Sequence, residues 1–150
     1  MLPTARDKAA IPLSIAALAK DETEAAIALW RMAGLTRPWN DPATDIALAL
    51  AASDATILAA RQPGRLVGTV MAGFDGHRGW IYYLAVAEDW RGCSIGKALV
   101  AAAEAWLLER NAPAVQLMVR GGNDAAAGFY AALGYERRDV VVLGRRLDGK

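Results

Sequence analysis

The sequence predicts a mixed α/β (α+β) domain, a β-sheet with helices packed on its faces. Three observations point there. The chain has 150 residues of which 55% are hydrophobic, enough for one domain with a real core and too few for two ordinary ones. Three β-rich runs follow one another through tight turns, the pattern of an antiparallel meander. Between and after them lie segments whose apolar residues recur at helical spacing.

In chain order, residues 1–10 carry Arg6, Asp7 and Lys8 without an apolar run. They read as a loose leader and not as a signal peptide, leaving 11–150 as a single domain. Ile11 to Ala17 reads as a short first strand. Asp21 and Glu24 have capping-box spacing ahead of the stripe Ala26, Leu29, Trp30 and Ala33, which Gly34 stops. T-R-P-W-N-D-P (36–42) is a turn-rich connector in which Asp41 and Pro42 suit the N-cap and N1 positions of a second helix to about residue 52. Ala55 to Arg61, Leu66 to Phe74 and Trp80 to Val86 are strands, separated by the turns Q-P-G-R and D-G-H-R-G. Ile95, Leu99, Ala102 and Trp106 mark a long amphipathic helix to about Arg110. Val115 to Val119 is a strand, Asn123 or Asp124 caps a helix ending at Gly134, and Tyr135 to Leu147 alternates like a last strand or a bent pair. The order is β α α β β β α β α β.

The charge is balanced, 17 basic against 16 acidic residues, with no basic stripe, which argues against nucleic acid as a partner. Cys93 is the only cysteine, so no intramolecular disulfide can form and a reducing cytoplasm is the expected location. Ser53, Asp54 and Glu104 interrupt the apolar stretches before a membrane-spanning length. Neither a repeat nor a metal-ligand spacing occurs.

Gly92-Cys93-Ser94-Ile95-Gly96 matches G-x-S-x-G, the turn that presents a hydrolase serine. That chemistry needs a histidine base, placed after the serine in the α/β-hydrolase order; the single histidine, His77, lies upstream of Ser94. Cys93 at a helix start is a candidate nucleophile, with the same lone His77 as partner. A Walker A loop is one residue longer and ends in Ser or Thr where Ala98 stands. What remains is a strand, then Arg91 and a small-residue loop opening a long helix. Its free amides and macrodipole suit a pyrophosphate, with Arg91 and Lys97 adding positive charge.

Y-Y-L-A-V-A-E-D-W-R-G-C-S-I-G-K-A-L (82–99) resembles motif A of the GNAT N-acetyltransferases, and N-D-A-A-A-G-F-Y-A-A-L-G-Y (123–135) resembles their motif B. The resemblance covers nearly the whole chain; within the family, T-R-P-W-N-D-P and the run from Gly68 to Val86 look like the bacterial YpeA-type proteins. It implies the acyl-CoA N-acyltransferase fold, a mostly antiparallel twisted sheet with helices on both faces. It implies acetyl-CoA as cosubstrate, no metal, a small-molecule or peptide amine as acceptor, and direct attack without a covalent enzyme intermediate. No nucleic acid or membrane partner is expected, and the chain would act as a monomer or homodimer. Protein N-terminal or ribosomal-protein acetylation is an alternative, as is a non-catalytic acyl-CoA sensor.

The same resemblance assigns roles. Leu84, Ala85 and Val86 supply backbone groups beside a bulge. Arg91, Gly92, Cys93, Ser94, Ile95, Gly96 and Lys97 cradle the pyrophosphate, with Ser94 standing where the family pattern has its first loop glycine. A serine there can offer its N–H and hydroxyl if its φ stays negative. Asn123 and Tyr130 are two helical turns apart and flank the pantetheine and thioester, Tyr130 as general acid for the leaving thiolate. Trp39, Asn40 and Asp41 sit where the family builds its acceptor wall. Tyr82 and Tyr83 alternate faces in a regular strand, so one of them at most would face that cleft. His77, as the single imidazole, is a candidate base, alongside Asp75, Glu88 and a water path.

Overall fold

Ala55–Gln62 (β2), Arg65–Phe74 (β3) and Gly79–Val86 (β4) form the antiparallel meander that the tight turns predict. The structure is a computed structural model describing residues 3–9 and 12–150. Ser14–Ala17 (β1) adds to the free edge of β2, and Val115–Leu117 (β5) pairs in parallel with β4, completing a five-stranded sheet in the order β1-β2-β3-β4-β5. Ile11, where the first strand is expected to begin, lies outside the described residues. Two compact units are present, one ending at Leu117 and one running from Met118 to Lys150.

In the first unit, the leader carries a short helix, Ala5–Ala9 (α1), and the Lys8 ammonium sits 4.8 Å from the centre of the Trp90 ring. Thr23–Met32 (α2) and Pro42–Ala51 (α3) follow, then Ile95–Glu109 (α4). Asp41 caps α3 as its sequence predicts: its carboxylate accepts from the Ala43 N–H at 3.1 Å, with Pro42 in the first turn. The capping box expected of Asp21 and Glu24 does not form. Lys20–Glu22 makes one 3-10 turn before α2, so it is the Glu22 carboxylate that reaches back, to the Ala19 N–H at 2.9 Å, while also receiving Arg61 at 2.8 Å.

The helices lie on opposite faces of the sheet, and β3 shows why. Val67 and Thr69 point to one face, where the Trp30 indole of α2 donates to the Thr69 hydroxyl at 2.8 Å. Gly68 points to the other. A side chain at that position would come within 2.9 Å of Leu99 and 3.3 Å of Ile95 on α4. The glycine lets the first turns of α4 lie directly on the strand. At the far end of α4, Leu107 closes over Gly79 in the same way. Leu99, Val100, Ala103 and Leu107 are buried, which leaves α4 fixed along the sheet by its whole apolar stripe.

The second unit contains Asp124–Ala132 (α5), capped by the Asn123 side chain, which accepts from the Ala126 N–H at 3.2 Å. The last strand expected over Tyr135 to Leu147 is absent: these residues form no ladder, and Val140, Val141, Val142, Leu143 and Leu147 are exposed. Alternation marks a face and does not by itself provide the paired strand that a ladder needs. Among the described residues, no helix is long and apolar enough to cross a membrane.

Candidate active site

The pairing of β4 with β5 ends at Ile81 and Leu117, but β4 continues to Val86. Its later residues therefore keep β3 on one side and an open edge on the other. Within this stretch the register against β3 slips between Thr69 and Met71, so that β4 carries one extra residue. The slip is a bulge at Tyr83 and Leu84, and Tyr83 takes a left-handed φ of 52°. Ala87 donates to the Val67 carbonyl at 2.8 Å, so the N–H and C=O of Val86 point to the open side. Of Leu84, Ala85 and Val86, expected to supply backbone groups, Ala85 pairs with Thr69 of β3, while Val86 presents its groups to an unpaired edge that an extended ligand could join.

The bulge overturns the alternation expected of the two tyrosines. Tyr82 pairs with Met71, on the face that carries Thr69 and α2. Tyr83, one residue later, stacks on Trp30 of α2 at 3.7 Å and 6°, so it occupies the same face. The extra residue is the reason. Tyr82 is 41% exposed and lies beside Trp80, ring centres 6.4 Å apart. The Tyr83 phenol donates to Asp45 of α3 at 2.5 Å, and the Asn40 amide donates to both, at 3.0 and 2.6 Å. Burial and then the Asp45 carboxylate push the Tyr83 phenol far above the ordinary tyrosine range, so it remains a proton donor. Its main-chain carbonyl accepts from the Thr69 hydroxyl at 2.9 Å.

After β4, the chain turns through Glu88–Trp90. Trp90 is buried, and Asp89 receives Arg65 at 2.7 and 3.1 Å. The next residues open α4. Gly92 has a φ of 77° and Ser94 one of 63°. The negative φ on which a serine here would depend is therefore not adopted; Ser94 takes the backbone shape of a glycine. In that shape its hydroxyl makes no cap hydrogen bond. The first amides of α4 have no acceptor within the helix, because the ladder begins with Ala98 donating to Ser94 at 3.1 Å. Arg91 and Lys97 are exposed on either side. Left-handed backbone costs a residue with a Cβ roughly 1–2 kcal/mol. Ser94→Gly is accordingly expected to raise stability by about 1 kcal/mol, or roughly 2–4 °C in melting temperature. If the loop holds a pyrophosphate, as the resemblance implies, acetyl-CoA affinity should be kept or tightened, as titration calorimetry would read. A serine nucleophile would instead lose all activity.

His77 and the loop lie beyond opposite ends of β4, whose eight residues span roughly 26 Å at 3.3 Å each. No Ser94–His77 or Cys93–His77 pair exists across that length. His77 is exposed on a turn where its N–H and that of Arg78 bind the Asp75 carboxylate at 2.8 and 2.7 Å. These bonds, that from Arg78 foremost, hold the Asp75 carboxyl below its usual range. Glu88 is exposed in the turn after β4. Cys93 is half-buried, its Sγ 3.8 Å from the Arg91 carbonyl. Of the connector residues, Trp39 is 58% exposed, Asn40 joins the Tyr83 cluster, and Asp41 caps α3. In the second unit, Tyr130 packs edge-on against Phe129 and Tyr135, at 5.0 and 5.5 Å. Burial pushes its phenol up to about 12, which keeps it protonated at neutral pH. Asn123 spends its side-chain oxygen on the helix cap.

Residues 15–135 match the model of the Acetyltransferase (GNAT) family. The chain belongs to the GNAT family of acetyltransferases. A protein of Pectobacterium atrosepticum named acetyltransferase is 47% identical over 128 residues, 85% of this chain and 91% of its own length. Among solved structures, AAC(6')-Iy in complex with a CoA-S-monomethyl-acetylneamine bisubstrate analogue superposes with a TM-score of 0.78 at 18% identity, covering 90% of this chain and 98% of that one. A ribosomal-protein-alanine N-acetyltransferase of Brucella melitensis gives 0.72 at 22% identity, covering 89% and 99%. At such identities these structures share the fold.

The sequence reading of this GNAT acyltransferase missed the contact cluster of Trp30, Asp45, Thr69 and Tyr83 at the bulge of β4. A signal for some of them was present. Thr69 is a polar residue inside the apolar run Gly68–Gly73, and Asp45 follows Asp41 by one helical turn, which sets it on the face of α3 that Asp41 begins. Trp30 and Tyr83 carried none, since a buried Trp and a strand Tyr read as core.

Proposed function

We propose that the chain transfers an acetyl group from acetyl-CoA to a primary amine by direct attack within a ternary complex. The observation that carries this reading is the open edge of β4 beyond Ile81, with its bulge, followed through the turn Glu88–Trp90 by a glycine-containing loop at the start of α4, whose N-cap Ser94 makes no side-chain cap bond. An extended pantetheine would pair along the Leu84–Val86 stretch through the groups on its open side, with Ala85 between them bonded to β3, and the pyrophosphate would meet the amides from Gly92 to Lys97 with Arg91 beside them.

The reaction breaks the thioester C–S bond and forms a C–N bond. The neutral amine attacks the carbonyl carbon, the oxyanion gains from backbone N–H donors, and the collapsing intermediate releases CoA thiolate. Tyr130 donates the proton that the thiolate takes up, and its raised pKa supports a phenol held in the donor form. The proton lost by the amine leaves through a base or a water path, for which His77 is one proposal. Trp39, Asn40, Asp41 and Tyr82 contribute to the acceptor side. The single cysteine supports a cytoplasmic location.

Two measurements test this. Acetyl-CoA should raise the melting temperature, and free CoA thiol should appear when a panel of amines and peptides is added. Absence of any shift with acetyl-CoA would overturn the acyl-CoA reading. Binding without thiol release for any acceptor would replace catalysis by sensing, and release with peptides alone would redirect the acceptor to protein N-termini. Tyr130→Phe should keep acetyl-CoA affinity and lower turnover by about tenfold or more; unchanged turnover would remove Tyr130 from the acid role.

A further inference from the structure

We infer that Tyr83 is a positioning residue, clamped by Trp30, Thr69, Asn40 and Asp45 so that the β4 bulge keeps the shape in which its backbone meets the thioester; this rests on the acetyl-transfer reading of the same site.

A bulky residue in left-handed backbone is a genuine outlier, and it persists only where its surroundings over-determine it. Tyr83 is held at three points. Its ring lies flat on Trp30, at 3.7 Å and 6°. Its carbonyl is held by the Thr69 hydroxyl, which is in turn held by the indole N–H of the same Trp30. One buried tryptophan thus grips both the side chain and the main chain of the strained residue. The third point is the phenol, fixed by Asp45 at 2.5 Å and by Asn40 at 3.0 Å. These two come from α3 and from the connector before it, so the clamp ties three elements to one peptide of β4. Asn40 and Asp45 act here through Tyr83.

Removing the phenol removes the third point while leaving the stack. Tyr83→Phe is expected to lower kcat by about tenfold with little change in the KM for acetyl-CoA, because the pyrophosphate cradle is untouched and only the reacting carbonyl is misplaced. Asp45→Ala should match it, and the double variant should be no worse than either single one, as members of one unit behave. Asp45→Asn retains an oxygen that accepts the phenol and should lose less than about threefold. Equal losses in Asp45→Asn and Asp45→Ala would overturn the clamp, since the carboxylate charge would then be what matters. A shift of the melting temperature with kcat unchanged in Tyr83→Phe would overturn it too, leaving a purely structural contact.

The clamp also has a readout independent of turnover. In Tyr83→Phe, amide exchange at Tyr83, Leu84 and Ala85 should speed up relative to that at Val67 and Val70 on β3, whether or not acetyl-CoA binds. Faster exchange there without any acetyl-CoA binding in the native protein would sink the acetyl-transfer reading and the clamp's purpose with it. Unchanged exchange would sink the clamp alone.

Discussion

Trp30→Ala is expected to destabilise the protein by about 3–5 kcal/mol, the range for emptying a fully buried aromatic site. Trp30 is among the largest side chains with no exposure at all. Its loss leaves a cavity between α2 and β3, removes the flat stack under Tyr83, and takes the donor from the buried Thr69 hydroxyl. One of the three points that hold the bulge would go, and a second, the Thr69 hydroxyl on the Tyr83 carbonyl, would lose the donor that orients it. Against a total stability of about 5–15 kcal/mol for a domain, such a loss leaves the chain near its threshold, so urea unfolding at low temperature is the measurement. Trp30→Phe separates the contributions: it keeps a ring over Tyr83, gives up the indole N–H, and should cost about 1–2 kcal/mol. Equal losses in both variants would assign the effect to the hydrogen bond, while a negligible loss in Trp30→Ala would mean that the ring is not core.

Gly68→Val is expected to cost about 1–3 kcal/mol through overpacking and to weaken acetyl-CoA binding about tenfold. The second effect follows from where the glycine lies. An added Cβ meets Leu99 Cδ1 at 2.9 Å, the Ala85 carbonyl at 3.0 Å and Ile95 Cγ2 at 3.3 Å. The Leu99 side chain can turn away. The Ala85 carbonyl belongs to the β4 backbone just after the bulge, and Ile95 is the first residue of α4. Relief must therefore come from moving one wall or the other of the proposed cosubstrate site. Gly68→Ala should show the same pair of effects at smaller size, and calorimetric titration with acetyl-CoA beside thermal melts reads both. A destabilised Gly68→Val with native affinity would show that the start of α4 is decoupled from β3.

Much of the fold is legible in the residues because it depends on local pattern. The Asp41–Pro42 start of α3, the meander from β2 to β4 and the apolar stripe of α4 each follow from a cap, a turn or a period, and each is found within a residue or two of its expected place. Misses occur where a distant partner decides. Whether Glu22 or Glu24 reaches back to a preceding N–H depends on a 3-10 turn ahead of α2 and on Arg61 of β2. The faces of Tyr82 and Tyr83 depend on a bulge that is a property of the β3–β4 pair. The final alternating segment fails to become a strand because alternation reports a face and says nothing about an available edge. At the site, the glycine-rich loop could be read in the chain, but the sign of φ at Ser94 could not, since serine by itself favours the opposite value. The cluster around Tyr83 draws on two helices, a connector and two strands, and no spacing rule joins residues 30, 40, 45, 69 and 83.

The extra residue in β4 also bears on how related chains can differ in length. Upstream of the bulge, Trp80 and Tyr82 face α2; downstream it is Tyr83 that does so, and the two halves of the strand are out of step by one. Deleting Tyr83 or Leu84 would remove the bulge and leave both halves on their present faces, whereas inserting a residue elsewhere between Gly79 and Val86 would turn one half over. The turn at residues 62–65, by contrast, joins strands whose faces are set by their own pairing, and can lengthen freely. Length changes among relatives should therefore collect in that turn, and within β4 the tolerated change should be loss of the bulge residue, which costs the bulge and keeps the orientation of both halves.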